Sequence, residues 1–329
     1  MARIVPMGSA AKVSFRYLTS EPIFGAVAPE IIEDALIHLA TKNEQYLSEL
    51  SDQAGCFKET RIVEFVFLLS EKWCLDQSVK YQAIEMFERF MIKHIEEVYN
   101  SIRETGKDSR WGCLEGQMRD TFMLRLVSCV QLASKLSFHY NIVNNNTVLK
   151  FLQSLDRSYT KDELLESELA ILKVLCFQIN VPTPFAYIEI LLEVLGHNGC
   201  LLPMKHLHEM CMHLLDLTYL LRSIIYDTLL KTCIENPTPS ELQIAKFVSV
   251  KEDFMLLAVG IIGTSTFVLY PECWNQVAFH LNSITGITTQ SILEFAYALL
   301  KHSISTTIPS KLQQNSGTRV SENSALRSK

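Results

Sequence analysis

The chain has 329 residues, 48% of them apolar and 20% charged, with a formal net charge of −6. That balance suits a packed protein of about two ordinary domains and excludes a chain that is intrinsically disordered throughout. With 12 glycines, 10 prolines and no dense Lys/Arg block ahead of the C-terminal tail, neither a turn-rich β-sandwich nor a direct nucleic-acid binder is expected.

Residues 1–28 show little periodicity and are expected to form a flexible leader; Met1–Ser20 lacks an apolar run of signal-peptide length. The nine cysteines are odd in number and never spaced C-x-x-C, so free thiols in a reducing compartment are expected, nucleus or cytosol. Pro29 suits a first helical turn, and Ile31, Ile32, Ala35, Leu36 and Leu39 continue a helix toward Leu50. A second helix is predicted from Thr60 to Trp73. A third follows Asp76 and runs to about Met91. Residues 92–118, polar and glycine-containing at their centre, read as an extended connection with room for some helix of its own.

The fourth helix, Asp120–Ser137, carries Ser128, Cys129, Ala133 and Ser134, small residues that let neighbouring helices approach, so it is expected at the centre of a bundle. Asn144–Asn146 makes a polar turn before a short fifth helix. Thr160-Lys-Asp-Glu163 is a capping box opening a sixth helix that ends near Phe177. Val181-Pro-Thr-Pro184 then breaks the chain, and we place a domain boundary there. Helical rhythm resumes over Phe185–Leu195, Met204–Leu217, Tyr219–Leu230, Phe254–Leu269, Cys273–Ile284 and Thr289–Ser303, with a less regular insert around 232–250. Residues 306–329 are polar and read as a disordered tail. No strand ladder is visible, so the fold class is all-α.

The uncharged stretch from Phe254 to Pro271 is close to the length of a short membrane span. Its flanks are acidic (Glu252, Asp253, Glu272), whereas the cytoplasmic flank of a true span favours Lys or Arg. A helix apolar on all sides is what the centre of an α bundle needs, and a core helix is expected. His206, His208, Cys211 and His213, with His197 and Cys200 upstream, form the richest ligand-like cluster. Their spacing matches no common structural zinc pattern, and no metal is expected. No nucleophile elbow, P-loop, G-x-G-x-x-G or H-E-x-x-H occurs, so no catalytic residues, no enzyme activity and no cofactor are expected.

Four segments in order, TRIVEFVFLLSEKW (60–73), LDQSVKYQAIEMFERFM (75–91), RLVSCVQLASKL (125–136) and ESELAILKVLCF (166–177), resemble the most characteristic helices of a cyclin box. LNSITGITTQSILEFAYALL (281–300) is similar, more weakly, to the last helices of a cyclin's second repeat. The resemblance implies tandem cyclin-box bundles: an N-terminal helix and first box over 29–181, and a divergent second box over 182–305. It places a helix-bracing ion pair at Arg61 and Glu88. It also places the residues that grip a kinase at Lys135 and Glu168, with Leu132, Leu136 and Phe177 supplying apolar contact. An ammonium donating to carbonyls and a carboxylate accepting from N–H groups suit that task. The alternative for Lys135 and Glu168 is that they pair with each other on a solvated face.

Departures from the pattern are as informative. Lys135 is followed by Leu136, Ser137 and Phe138, where the family commonly has acidic residues. The positions of the family's substrate-docking patch hold Thr60, Glu64 and Phe67, and a charge at Glu64 opposes docking of an apolar motif. The resemblance is to a divergent branch of the cyclins linked to meiotic crossover formation. It implies a nuclear regulatory protein on meiotic chromosomes, partnered by a cyclin-dependent kinase and by meiotic recombination proteins, with no membrane. Two alternatives stand beside it: a non-activating cyclin-fold scaffold for recombination or ubiquitin-ligase factors, and a nucleic-acid-associated cyclin-like factor.

Overall fold

A computed structural model of the chain describes residues 24–105, 111–137, 142–198, 202–234 and 238–307. The described residues are built from α-helices, with no strand among them. The first half comprises α1 (Pro29–Ser48), α2 (Thr60–Lys72), α3 (Gln77–Thr105), α4 (Trp111–Leu136), α5 (Asn145–Gln153) and α6 (Lys161–Val174). The second comprises α7 (Pro184–His197), α8 (Met204–Leu220), α9 (Arg222–Cys233), α10 (Glu241–Lys246), α11 (Val248–Lys251), α12 (Phe254–Leu269), α13 (Trp274–Thr285) and α14 (Thr289–Thr307).

Helix ends follow the local chemistry. Thr160 and Glu163 form the expected capping box at the start of α6, each side chain bonding the other residue's backbone N–H. Asn144 caps α5 by accepting from the Thr147 amide at 3.0 Å. Pro29 and Pro184 occupy the first turns of α1 and α7, where a missing N–H costs nothing.

The segment expected as an extended connection with some helix of its own is helical over most of its length. α3 runs on to Thr105 and α4 begins at Trp111, so residues 92–105 lengthen one helix and 111–118 the next. The reason is local: no Gly or Pro interrupts Ile92–Thr105, and Gly106 is the first breaker. Residues 106–110 lie outside the described residues, as do the expected leader up to residue 23 and the tail from 308.

α4 is central to the first half. Every residue from Leu126 to Ser134 is buried, and the small side chains bring α6 close enough for Ser128 Oγ and Ser167 Oγ to lie 2.8 Å apart. α12 has the same role in the second half, where it packs against α7, α8, α13 and α14. Its apolar surface is turned into the protein on almost every side, as a core helix requires. No single helix among the described residues is long and apolar enough to cross a membrane. Gly260 and Gly263 are where α14 crosses it: a Cβ at either would come within 2.4 Å of Phe295 or Ile292 respectively.

α1 packs across the second half. Asn43 Nδ2 donates to Asp253 at 2.9 Å and its Oδ1 accepts from the Phe254 amide, while Tyr187 donates its hydroxyl to the Leu39 carbonyl. The segment ahead of α1 is strapped to α7. The buried Glu193 carboxylate accepts from the Gly25 and Val27 amides at 2.8 and 2.7 Å. Gly25 and Gly196 pass so closely that a Cβ on Gly196 would meet the Gly25 nitrogen at 3.1 Å.

Candidate partner-docking site

Lys135 stands in the last turn of α4 and Glu168 in the middle of α6, two helices pressed together by the small residues between them. Their side chains form an ion pair in which the carboxylate is 9% exposed and the ammonium 37% exposed. The expected juxtaposition is present, and so is the contact between the two that was its alternative. The two are compatible: a pair at the lip of a buried helix–helix seam holds both groups in place, and each retains capacity for backbone groups of a partner.

The apolar surroundings differ from expectation. Leu132 is 5% exposed and belongs to the core beneath α4, so it supports the pair and offers no area to a partner. Leu136 is half-buried. Phe177, three residues past α6, is 66% exposed and held in a left-handed backbone conformation (φ 61°), its amide donating to the Leu172 carbonyl at 2.7 Å. Leu165 and Leu169, not singled out from the sequence, are also exposed and flank Glu168 at helical spacing. Their signal was an excess: LLESELAILKVL carries apolar residues on more faces than Leu164 and Ile171 need to bury α6.

Glu88 and Arg61 do not pair. Arg61 is exposed, whereas Glu88 is buried and accepts from the Gly55 and Phe57 amides, the latter at 2.8 Å. The brace is supplied by residues from farther apart. Buried Lys58 contacts Glu85 of α3 and Glu252, which follows α11, each at 2.7 Å, and Arg222 at the start of α9 contacts Glu252 at 2.6 Å. Tyr46 donates to Glu252 at 2.9 Å and Tyr219 to Glu85 at 2.7 Å. This hub joins α1, α3, α8 and α9, and outer ties from Lys80 and Tyr81 to Asp216 reinforce the seam between α3 and α8. A carboxylate shared between two buried cations satisfies more groups than the expected single pair could. Burial pushes the Glu252 carboxyl upward, but Lys58 and Arg222 outweigh it and hold it at about 2. Glu88 is pushed up to about 7 by burial, against the pull of Lys58.

At the substrate-patch positions, Glu64 is exposed, Thr60 donates its hydroxyl to the Leu220 carbonyl at 3.0 Å, and Phe67 is covered by the Lys80 ammonium, 4.5 Å from its ring centre. An open apolar groove is therefore not formed by these three. The histidine cluster is dispersed: Cys211 is buried, His206 and His213 are exposed, and His208 lies beside Phe24 and Phe185. His197 turns to the Val27 carbonyl, and Cys200 lies outside the described residues. Among the described residues no group of three or more His, Cys, Asp or Glu could hold a metal ion.

Comparison with known proteins agrees with this architecture. The sequence profile of the family described as "Cyclin, N-terminal domain" matches residues 34–180, which span α1 from its second turn through α6. The chain is 59% identical over 295 residues to mouse cyclin N-terminal domain-containing protein 1, covering 88% of each protein. Against the human protein of that name it is 57% identical over 295 residues, covering 88% of this chain and 89% of the relative. The chain belongs to the cyclin-domain family that includes these two relatives.

Proposed function

We propose that this chain is a cyclin-like regulatory subunit that docks a cyclin-dependent kinase on the α4–α6 face and acts in the nucleus in meiotic crossover maturation, together with recombination proteins. The observation that supports docking is the Lys135–Glu168 pair, with Leu165 and Leu169 exposed on the same helix as Glu168 and Phe177 exposed just beyond that helix. Exposed apolar side chains around fixed charges make a surface suited to burial by a helix of another protein. A partner that binds only the inward position of a kinase's mobile helix shifts its population toward the active state. The meiotic and nuclear assignments rest on the resemblance to the crossover-linked branch of the cyclins.

The test is co-purification. Lys135→Glu combined with Glu168→Lys keeps a pair but reverses its polarity, so a folded protein that no longer captures the kinase is expected. Kinase retained at full strength by the folded double variant would sink the docking reading. A second reading, a scaffold that binds partners without activating a kinase, is favoured by the exposed Glu64 and the covered Phe67. Reconstituted kinase activity with and without the chain separates the two.

A further inference from the structure

Arg61, freed from the pairing expected for it, faces a cleft of about 780 Å³ where the starts of α2 and α9 meet the end of α11. Four cationic side chains line the cleft, Lys58, Arg61, Arg222 and Lys251, against a single carboxylate, Glu59. Lys58 and Arg222 are committed to the hub, with Arg222 also donating to the Lys251 carbonyl. Arg61 and Lys251 have no ion-pair partner among the described residues. Burial first, and then the neighbouring Arg222 guanidinium, pull the Lys251 ammonium below its ordinary range. An anion entering here would relieve that repulsion.

The backbone adds to the same field. α2 has no side-chain cap at its start, and its positive end opens on the cleft. Ser223 places a hydroxyl on its wall, while the Thr60 hydroxyl is taken by the Leu220 carbonyl. We propose that this cleft binds the phosphate of a phosphorylated serine or threonine in a partner protein. A phosphate offers three acceptor oxygens and nearly two charges, enough for Arg61, Lys251 and the Ser223 hydroxyl together. A confined cleft with Glu59 on its rim, in a chain of net charge −6, fits one phosphate better than the repeated phosphates of a nucleic acid.

This site is separate from the α4–α6 face, and the test keeps the two apart. The full chain is challenged with a phosphoserine/phosphothreonine peptide library, the same library unphosphorylated, and duplex DNA. Selective retention of phosphopeptides, competed by inorganic phosphate, is expected. Arg61→Ala with Lys251→Gln should weaken an enriched phosphopeptide by roughly tenfold or more, while Lys135→Glu with Glu168→Lys leaves its affinity unchanged. Should the cleft variant fold poorly, Arg61→Ala alone, at an exposed position, gives the same reading with a smaller loss. Equal retention of both libraries, unchanged affinity in folded Arg61→Ala, or tighter, salt-sensitive retention of DNA would each overturn the proposal.

Discussion

At the scale of single residues, Glu88 and Glu252 are two buried carboxylates whose environments drive them apart. Glu252 sits between Lys58 and Arg222 and is held at about 2. Its folded value lies below its unfolded one, so its contribution is present above roughly pH 4.5 and is lost as pH falls through about 2. Glu88, raised to about 7, runs the other way: its contribution is present below roughly pH 4.5 and lost as pH rises through about 7. Urea melts across this range should therefore show greatest stability on the mildly acidic side, declining toward neutrality by on the order of 2–3 kcal/mol. Glu88→Gln should flatten that decline; a decline of unchanged size in the variant would contradict the assignment. Glu252→Gln should cost about 3–5 kcal/mol at pH 7, because it leaves two buried cations without their shared anion.

The same residues show what a sequence can convey. The juxtaposition of Lys135 and Glu168 is legible because the family pattern marks both. Arg61–Glu88 was misplaced because the groups around Glu88 come from remote segments: Lys58 reaches Glu252 across 194 positions, and Tyr219 reaches Glu85 across 134. No local spacing encodes such a hub. Glu85, Arg222 and Glu252 carried no signal beyond being charges in apolar surroundings.

At the scale of elements, legibility followed locality. The capping box of α6, the buried centre of α4 and the apolar α12 all depend on near neighbours or on composition within one helix, and each appears as expected. The full length of α3 is not legible because polarity at 92–105 is compatible with either an irregular connection or a solvated helix, which needs no apolar stripe along its whole length. α12 is also where a small change has a large effect. Gly260→Ala would gain up to about 1 kcal/mol of helix propensity, but its Cβ would press into the buried Phe295 ring. Overpacking of this kind costs about 1–3 kcal/mol, so a net loss in thermal stability is expected. A higher Tm would show that α14 yields more readily than its packing indicates.

At the scale of the molecule, the two halves share a charged seam. Lys58 and Glu85 come from one side of the 181–184 break, Arg222 and Glu252 from the other, and α1 crosses from the first to pack on the second. Cutting the chain there would sever the Lys58–Glu252 and Lys80–Asp216 contacts and bare to water the charged groups and apolar surface that the seam buries. Residues 24–181 and 182–307 expressed separately should each aggregate or fold poorly, and should recover a soluble complex when produced together. Independent folding of either fragment to full helicity would show that the seam is dispensable.

The strap ahead of α1 bears on how the protein is made. Val27 bonds to Glu193, a residue 166 positions later, and α1 closes on Asp253 and Phe254, later still. At ribosomal speeds of about 5–20 residues per second, the first helix waits on the order of ten seconds or more before any of these partners has been synthesised. The earliest of the described helices to leave the ribosome is thus among the last to be seated. Its exposed side chains, Ile31 and Ile37 with the still-uncovered Leu39, are the surface that a nascent-chain chaperone would meet first.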